Sequence, residues 1–189
     1  RIALLVAERP YLSALIPVYN EEENLPALGE EVSAALDALG KPYEVILGDA
    51  RLSLEREAPQ AFDVLVLDAF SGDAIPTHLL TEEAFRVYQR HLQPESVLAI
   101  HISNRHLQLE PVVLRLAERF NFSCLQVNSR IDGRRAVLPA KWMLLTKNAC
   151  FLDDRLVRQV ARNMSGTQPA GFPLWTDQYS NLFQILTVY

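Results

Sequence analysis

Short apolar runs alternate along the chain with stretches whose apolar positions recur at helical spacing. Ser13 to Val18 reads as a buried strand; after the polar stretch Asn20 to Asn24, Leu28, Val32, Leu36 and Leu39 fall on one face of a helix. Asn24 is its expected N-cap, with Pro26 in the first turn, and Gly40 and Pro42 stop it. Tyr43 to Leu47 is the next expected strand, Asp49 opens a short helix to about Glu57, and Phe62 to Leu67 is a strand again.

Asp68 to His78 reads as a loop. Thr81 caps a helix whose first turn carries Glu82 and Glu83, favourable at the positive end of the dipole, and Pro94 follows its end. Val97 to Ile102, Phe122 to Val127 and Trp142 to Thr146 read as strands, and Glu110 to Phe120 as a helix. Asp153 is the expected cap of a last helix reaching about Asn163, before a loop over Ser165 to Pro173. Strands that are apolar without alternation are buried on both faces. The pattern therefore predicts an α/β fold, a doubly wound and mostly parallel sheet in a three-layer αβα sandwich, with residues 1–189 forming one domain. Ligands of such sheets sit at the carboxyl ends of the strands.

Composition narrows the chemistry. The chain of 189 residues is 49% hydrophobic and 22% charged, which suits a packed globular domain. Average usage predicts roughly 13 glycines; the chain has 7, none placed to write a dinucleotide-binding or P-loop fingerprint. A net charge of -5 argues against nucleic acid as a partner. The arginine excess over Lys41, Lys141 and Lys147 is read as compositional. Cys124 and Cys150 sit in or beside apolar segments and read as small buried hydrophobes, which with the absence of a cysteine framework suggests a reducing, cytoplasmic setting. No apolar run approaches the ~18 residues of a membrane span.

Two carboxylates fall where such a sheet would place a site. Asp49 follows the Tyr43 to Gly48 segment and Asp68 follows Phe62 to Leu67, each able to accept a ligand hydrogen bond or a proton; Asp73 and Pro76 lie in the same loop. The plainer alternative is that Asp49 caps the next helix and Asp68 begins a turn. His78, His91, His101 and His106 lack metal-ligand spacing and read as surface or cap residues, so no metal is expected. No G-x-S-x-G surrounds a serine, and Ser71 is not tied to a histidine by pattern. Trp175, Tyr179 and Phe183 form an aromatic tail expected to pack over the domain.

These residues carry two resemblances. From Gly48-Asp49-Ala50-Arg51, through Phe62-Asp63-Val64-Leu65-Val66-Leu67-Asp68-Ala69-Phe70-Ser71-Gly72-Asp73-Ala74-Ile75-Pro76 and Leu79-Leu80-Thr81, roughly three quarters of the chain resembles spermidine synthase-like proteins. These form the aminopropyltransferase branch of the S-adenosylmethionine-dependent methyltransferase fold. The ending Trp175-Thr176-Asp177-Gln178-Tyr179-Ser180-Asn181-Leu182 is similar to that of bacterial members fused to membrane transporter segments, which implies the soluble part of a larger membrane-associated protein. From Leu12 to Ile46, Ile16-Pro17-Val18-Tyr19-Asn20-Glu21-Glu22-Glu23-Asn24-Leu25-Pro26 and Pro42-Tyr43-Glu44-Val45-Ile46 instead resemble the first βαβ unit of family 2 glycosyltransferases of the polyprenyl-phosphate type. The chain looks chimeric, with its junction near residue 47.

The first resemblance implies a Rossmann-like methyltransferase fold and aminopropyl transfer from decarboxylated S-adenosylmethionine to a small-molecule amine, in polyamine biosynthesis. It implies that Gly48, Asp49 and Ala50 contact the donor's adenine, that Asp68 takes the amine's proton, and that Asp73 holds a substrate ammonium. The family's glycine-rich loop belongs to the exchanged segment, so weak or absent binding of decarboxylated S-adenosylmethionine or S-adenosylmethionine is expected. Leu138, ahead of Pro139 and Trp142, stands where synthases carry a tyrosine. Two alternatives stay open: an inactive scaffold, either a designed or a recombined module, and a glycosyltransferase fragment binding a nucleotide-sugar through Pro17, Tyr19 and Glu21.

Overall fold

The computed structural model describes residues 48–69, 76–129, 139–167 and 171–187, the backbone of 13–15, and scattered positions between 27 and 38. The expected strand over 43–47, the apolar helix face at Leu28, Val32, Leu36 and Leu39, and Asp73 lie outside the described residues. Within 27–38, residues such as Ala27, Glu30, Ser33 and Asp37 are helical, as the spacing predicts.

Among the described residues, six strands form one sheet: β1 (Ser13–Leu15), β2 (Phe62–Leu67), β3 (Leu92–His101), β4 (Ser123–Ser129), β5 (Ala140–Thr146) and β6 (Ala161–Asn163). Their order is β1-β2-β3-β5-β4-β6. The β1/β2 and β2/β3 pairs are parallel, while β5 runs antiparallel to both β3 and β4. Thus β1 to β4 share one direction, with β5 reversed and inserted between β3 and β4. The helices with both ends among the described residues include α1 (Ala50–Arg56), α2 (Glu82–His91), α3 (Glu110–Arg119), α4 (Ala149–Asp153) and α5 (Arg155–Val160). The α/β class read from the apolar pattern holds.

Register explains the core. Leu65, Leu98, Leu145 and Cys124 are successive partners across β2, β3, β5 and β4, and each is at most 1% exposed. Leu67, Ile100, Met143 and Gln126 form the next row; Gln126 is buried because its Nε2 donates to Glu110 Oε2 at 3.0 Å. Alternate residues of a strand share a face, so both rows present one continuous apolar surface. Ala84, Phe85 and Tyr88 of α2 and Val112, Val113 and Leu116 of α3 belong to the same buried cluster. At roughly 1.5–3 kcal/mol per buried large apolar side chain, these rows are the main source of stability.

Local chemistry sets the boundaries. Thr81 Oγ1 accepts from Ala84 N–H and caps α2. At the end of α3, Asn121 takes the left-handed conformation (φ 56°), so that its N–H reaches Glu118 O at 3.0 Å and Phe122 N–H reaches Ala117 O at 2.8 Å. β3 starts at Leu92, earlier than Val97, because Leu92 pairs with Phe62; the register slips between Phe62 and Val64, and the irregularity tolerates Pro94, which has no N–H to donate.

Four expectations are corrected. His91, read from the sequence as a surface or cap residue, is fully buried at the end of α2. The last helix is not continuous from Asp153 to Asn163: Asn148 caps α4, Asp154 Oδ1 accepts from Leu156 and Val157 N–H to cap α5, and residues 161–163 form β6 on the edge of β4. Of the aromatic tail, Trp175 is fully buried, but Tyr179 is 45% and Phe183 86% exposed. Cys124 is buried, whereas Cys150 is exposed in the first turn of α4. Among the described residues, no helix is long and apolar enough to cross a membrane.

Candidate functional site

Asp49, Asp68 and the residues around them form two separate clusters. The first surrounds the start of α1. Gly48 sits at φ 146°, where a side chain would be strained, and leads into Asp49. Asp49 Oδ1 accepts from Leu52 N–H at 2.9 Å, so the plainer expectation, a helix cap, is realised. Its Oδ2 lies 3.0 Å from His78 Nε2. Ala50 is the half-buried first residue of the helix.

Arg51 anchors the C-terminal tail beside them. Its two terminal nitrogens donate to Asp177 Oδ1 and Oδ2 at 2.6 Å each, its Nε to Glu55 at 2.9 Å, and Nη1 also to His78 O at 2.9 Å. Such a fork-to-fork pair is the strong form of an ion pair. The Asp177 bonds, outweighing partial burial, raise the Arg51 pKa further. In return, Arg51 and then Thr81 hold the Asp177 carboxyl below its ordinary value. Thr81 Oγ1 donates to Asp177 Oδ1 at 2.8 Å, and Asp177 N–H donates to Glu83 Oε2 at 2.9 Å. A cleft of about 420 Å³ is lined here by Asp49, Arg51, Leu52, His78, Thr176 and Ser180, among others. Its charged groups are largely satisfied by one another.

The second cluster stands at the carboxyl ends of β2 and β3. Asp68 is the first residue after β2 and His101 the last of β3; because the two strands are parallel and neighbouring, both side chains leave the sheet at the same end. His101 Nδ1 lies 2.6 Å from Asp68 Oδ1, and its Nε2 lies 2.7 Å from Ser103 Oγ. The His101 ring stacks on Trp142 of β5 at 4.8 Å between centroids and 25° between planes, and the two residues are register partners. Ser103 Oγ further accepts the Lys141 N–H at 2.7 Å, next to the Ile102 N–H to Lys141 O bond of 2.8 Å. His101 is 13% exposed and Asp68 41%, so the ring is fixed while the carboxylate reaches solvent.

Thus the sequence-predicted Asp68 occupies a strand-end position with a partner, Asp49 with Gly48 and Ala50 opens α1, and Asp73 lies outside the described residues. Asp68 does not line the cleft beside Asp49. His101, Ser103 and Trp142 escaped sequence reasoning. The signal was the H-x-S spacing at the end of a strand, which places both side chains on one side, next to a strand ending in Asp. No group of three metal-ligating side chains is found among the described residues.

A donor with an adenine ring finds part of what it needs. Around Gly48 a Cβ would meet only Ser53 Oγ, at 3.8 Å, so the backbone is open to close approach. The Asp49 carboxylate keeps acceptor capacity beyond its two bonds. These residues fit the amino edge of an adenine.

No family model matches the chain. Undecaprenyl-phosphate 4-deoxy-4-formamido-L-arabinose transferase of Serratia proteamaculans is 58% identical over 38 residues, 20% of this chain and 12% of that protein. The enzyme of the same name from Aeromonas hydrophila is 60% identical over 38 residues with the same coverage. The chain thus spans about an eighth of the length of these curated relatives. Among solved structures, a probable spermidine synthase from Corynebacterium glutamicum aligns with a TM-score of 0.48 at 16% identity, over 80% of this chain and 63% of that one. Spermidine synthase from Thermotoga maritima aligns at 0.47 and 14%, over 73% and 46%. Over the short 38-residue segment the chain is similar to a glycosyltransferase.

Proposed function

We propose that this is a transferase-type domain in which Asp68 accepts the proton of an amine that attacks an aminopropyl donor. The observation that carries the reading is the Asp68 carboxylate itself: it stands at the carboxyl end of β2, partly exposed, with Oδ1 fixed by His101 at 2.6 Å. The residue-by-residue resemblance around Gly48 to Ala50 and Phe62 to Pro76 supports the same reaction. An ammonium has no lone pair, so it must lose a proton before it can attack carbon; a carboxylate held at the reacting nitrogen contributes typically about 10²- to 10⁴-fold. Gly48, Asp49 and Ala50 would hold the adenine end of decarboxylated S-adenosylmethionine. When bound, that donor supplies a carbon made electrophilic by its sulfonium. Asp73 is proposed to hold a distal ammonium of the acceptor.

The test follows methylthioadenosine release from decarboxylated S-adenosylmethionine with putrescine or spermidine as acceptor. Amine-dependent release that falls about 10²- to 10⁴-fold in Asp68→Asn is expected. No release by the wild type, together with no calorimetric response to the donor or its thioether product at millimolar concentration, overturns the reading in favour of an inactive scaffold.

The short, highly identical glycosyltransferase match supports a second reading, nucleotide-sugar binding by the N-terminal segment. Uridine diphosphate binding in the presence of Mn²⁺ or Mg²⁺ would support it, and no heat of binding would remove it.

A further inference from the structure

The Asp68, His101 and Ser103 chain is joined in a definite direction. An ionised Asp68 accepts, so the neutral ring donates from Nδ1, leaving the Nε2 lone pair turned toward Ser103 Oγ at 2.7 Å. With the ring in that tautomer, the Ser103 hydroxyl donates to Nε2 while its oxygen accepts the Lys141 N–H. This is the arrangement in which a hydroxyl is activated by an imidazole that a carboxylate orients; it is recognised by roles and geometry rather than by sequence position. The ring is further pinned by Trp142, which leaves it little freedom to leave the line. Ser103 also lies on the wall of a cleft of about 1170 Å³, with Leu107, Leu109, Pro111 and Pro139 supplying apolar surface and Asn128 and Lys141 polar groups.

We propose that Ser103 is an activated nucleophile for acyl transfer, with small carboxylic esters as the substrate class. Ser103 Oγ attacks the ester carbonyl carbon as its proton passes to His101 Nε2. The bond from that carbon to the alcohol oxygen then breaks, and the departing oxygen takes the proton from Nε2. Water releases the acyl group: it gives a proton to Nε2 as its oxygen bonds to the carbonyl carbon, and Ser103 recovers that proton as it leaves. The sum is ester plus water giving acid plus alcohol. Asp68 holds the ring in the required tautomer. Nothing in this step requires an aminopropyl donor, so it stands apart from the function proposed above.

The test treats the full chain with a fluorophosphonate probe, which bonds phosphorus to an activated serine oxygen with loss of fluoride, and locates the adduct by peptide mass spectrometry. One adduct on Ser103, absent in Ser103→Ala and formed at least tenfold more slowly in His101→Gln and in Asp68→Asn, is expected. Hydrolysis of p-nitrophenyl acetate should fall in parallel. Circular dichroism of each variant checks that it is folded. If His101→Gln is unfolded, the Ser103→Ala comparison and the site of the wild-type adduct still decide. An unlabelled wild type, an adduct elsewhere, or equal labelling rates in a folded His101→Gln would overturn the proposal. Loss of labelling without loss of aminopropyl transfer in Ser103→Ala would separate this chemistry from the transferase reading.

Discussion

A residue outside both clusters shows how one buried group shapes the response of the fold to pH. His91, at the end of α2, is fully buried; its Nε2 donates to Leu54 O at 2.8 Å and its ring stacks on Phe62 at 5.9 Å. Nδ1 has no hydrogen-bond partner. Burial, opposed by the Leu54 bond and aided by nearby Arg90, pushes its pKa below the ordinary 6.5. The unfolded chain therefore binds this proton at a higher pH than the folded one does. Stability is full above the unfolded value and falls as pH drops below about 6.5, by at most about 1.4 kcal/mol per pH unit from this site, until the folded value is reached. Urea unfolding at pH 7.5 and 5.5 should show this fall, and His91→Gln, less stable at pH 7.5, should show a smaller one. An unchanged pH slope in the variant would assign the dependence to other groups.

At the scale of elements, α2 is tied at its start to a segment almost a hundred residues away. Thr81 both caps the helix through Ala84 N–H and donates to Asp177 Oδ1 at 2.8 Å, while Glu82 N–H reaches Trp175 O at 2.9 Å. Thr81→Ala removes the cap and one tail contact together. A loss of about 1–2 kcal/mol is expected by chemical denaturation, and Thr81→Ser, which keeps the hydroxyl, should recover most of it. The cap itself was legible, because a threonine before Glu82, Glu83 and an amphipathic run satisfies local hydrogen-bonding rules. Phe62–Leu67 was equally legible as an apolar run between polar flanks. β6 was not: residues 161–163 leave helical geometry to pair with Leu125 to Val127, a partnership invisible to local spacing. The site divides along the same line. Asp68 could be placed at a strand end, but its partner His101 lies 33 residues on, and their meeting depends on β2 and β3 being adjacent and parallel.

For the molecule as a whole, the C-terminal tail is part of the core rather than an appendage. Trp175 is fully buried and Ile185 is 2% exposed, both within the cluster that joins the sheet to α2 and α3. The tail backbone is fastened at Gln108 N–H to Ile185 O, 2.7 Å, and at Thr187 N–H to His106 O, 2.8 Å. These bonds fix the tail against the loop after β3, immediately beyond Ser103. Trp175→Ala would open a cavity at the centre of this arrangement, with a loss of about 3–5 kcal/mol. In a domain of this size that corresponds to a fall in Tm of roughly 6–20 °C. Trp175→Phe should lose less, since it fills most of the volume and removes an indole N–H that has no partner. Differential scanning calorimetry of the two variants would measure both shifts. A fall below about 2 °C for Trp175→Ala would mean that the tail is not held in the core. The support that the tail gives to the loop carrying Ser103 would then go with it. A large fall should be accompanied by slower probe labelling at Ser103, because the loop would lose its backing.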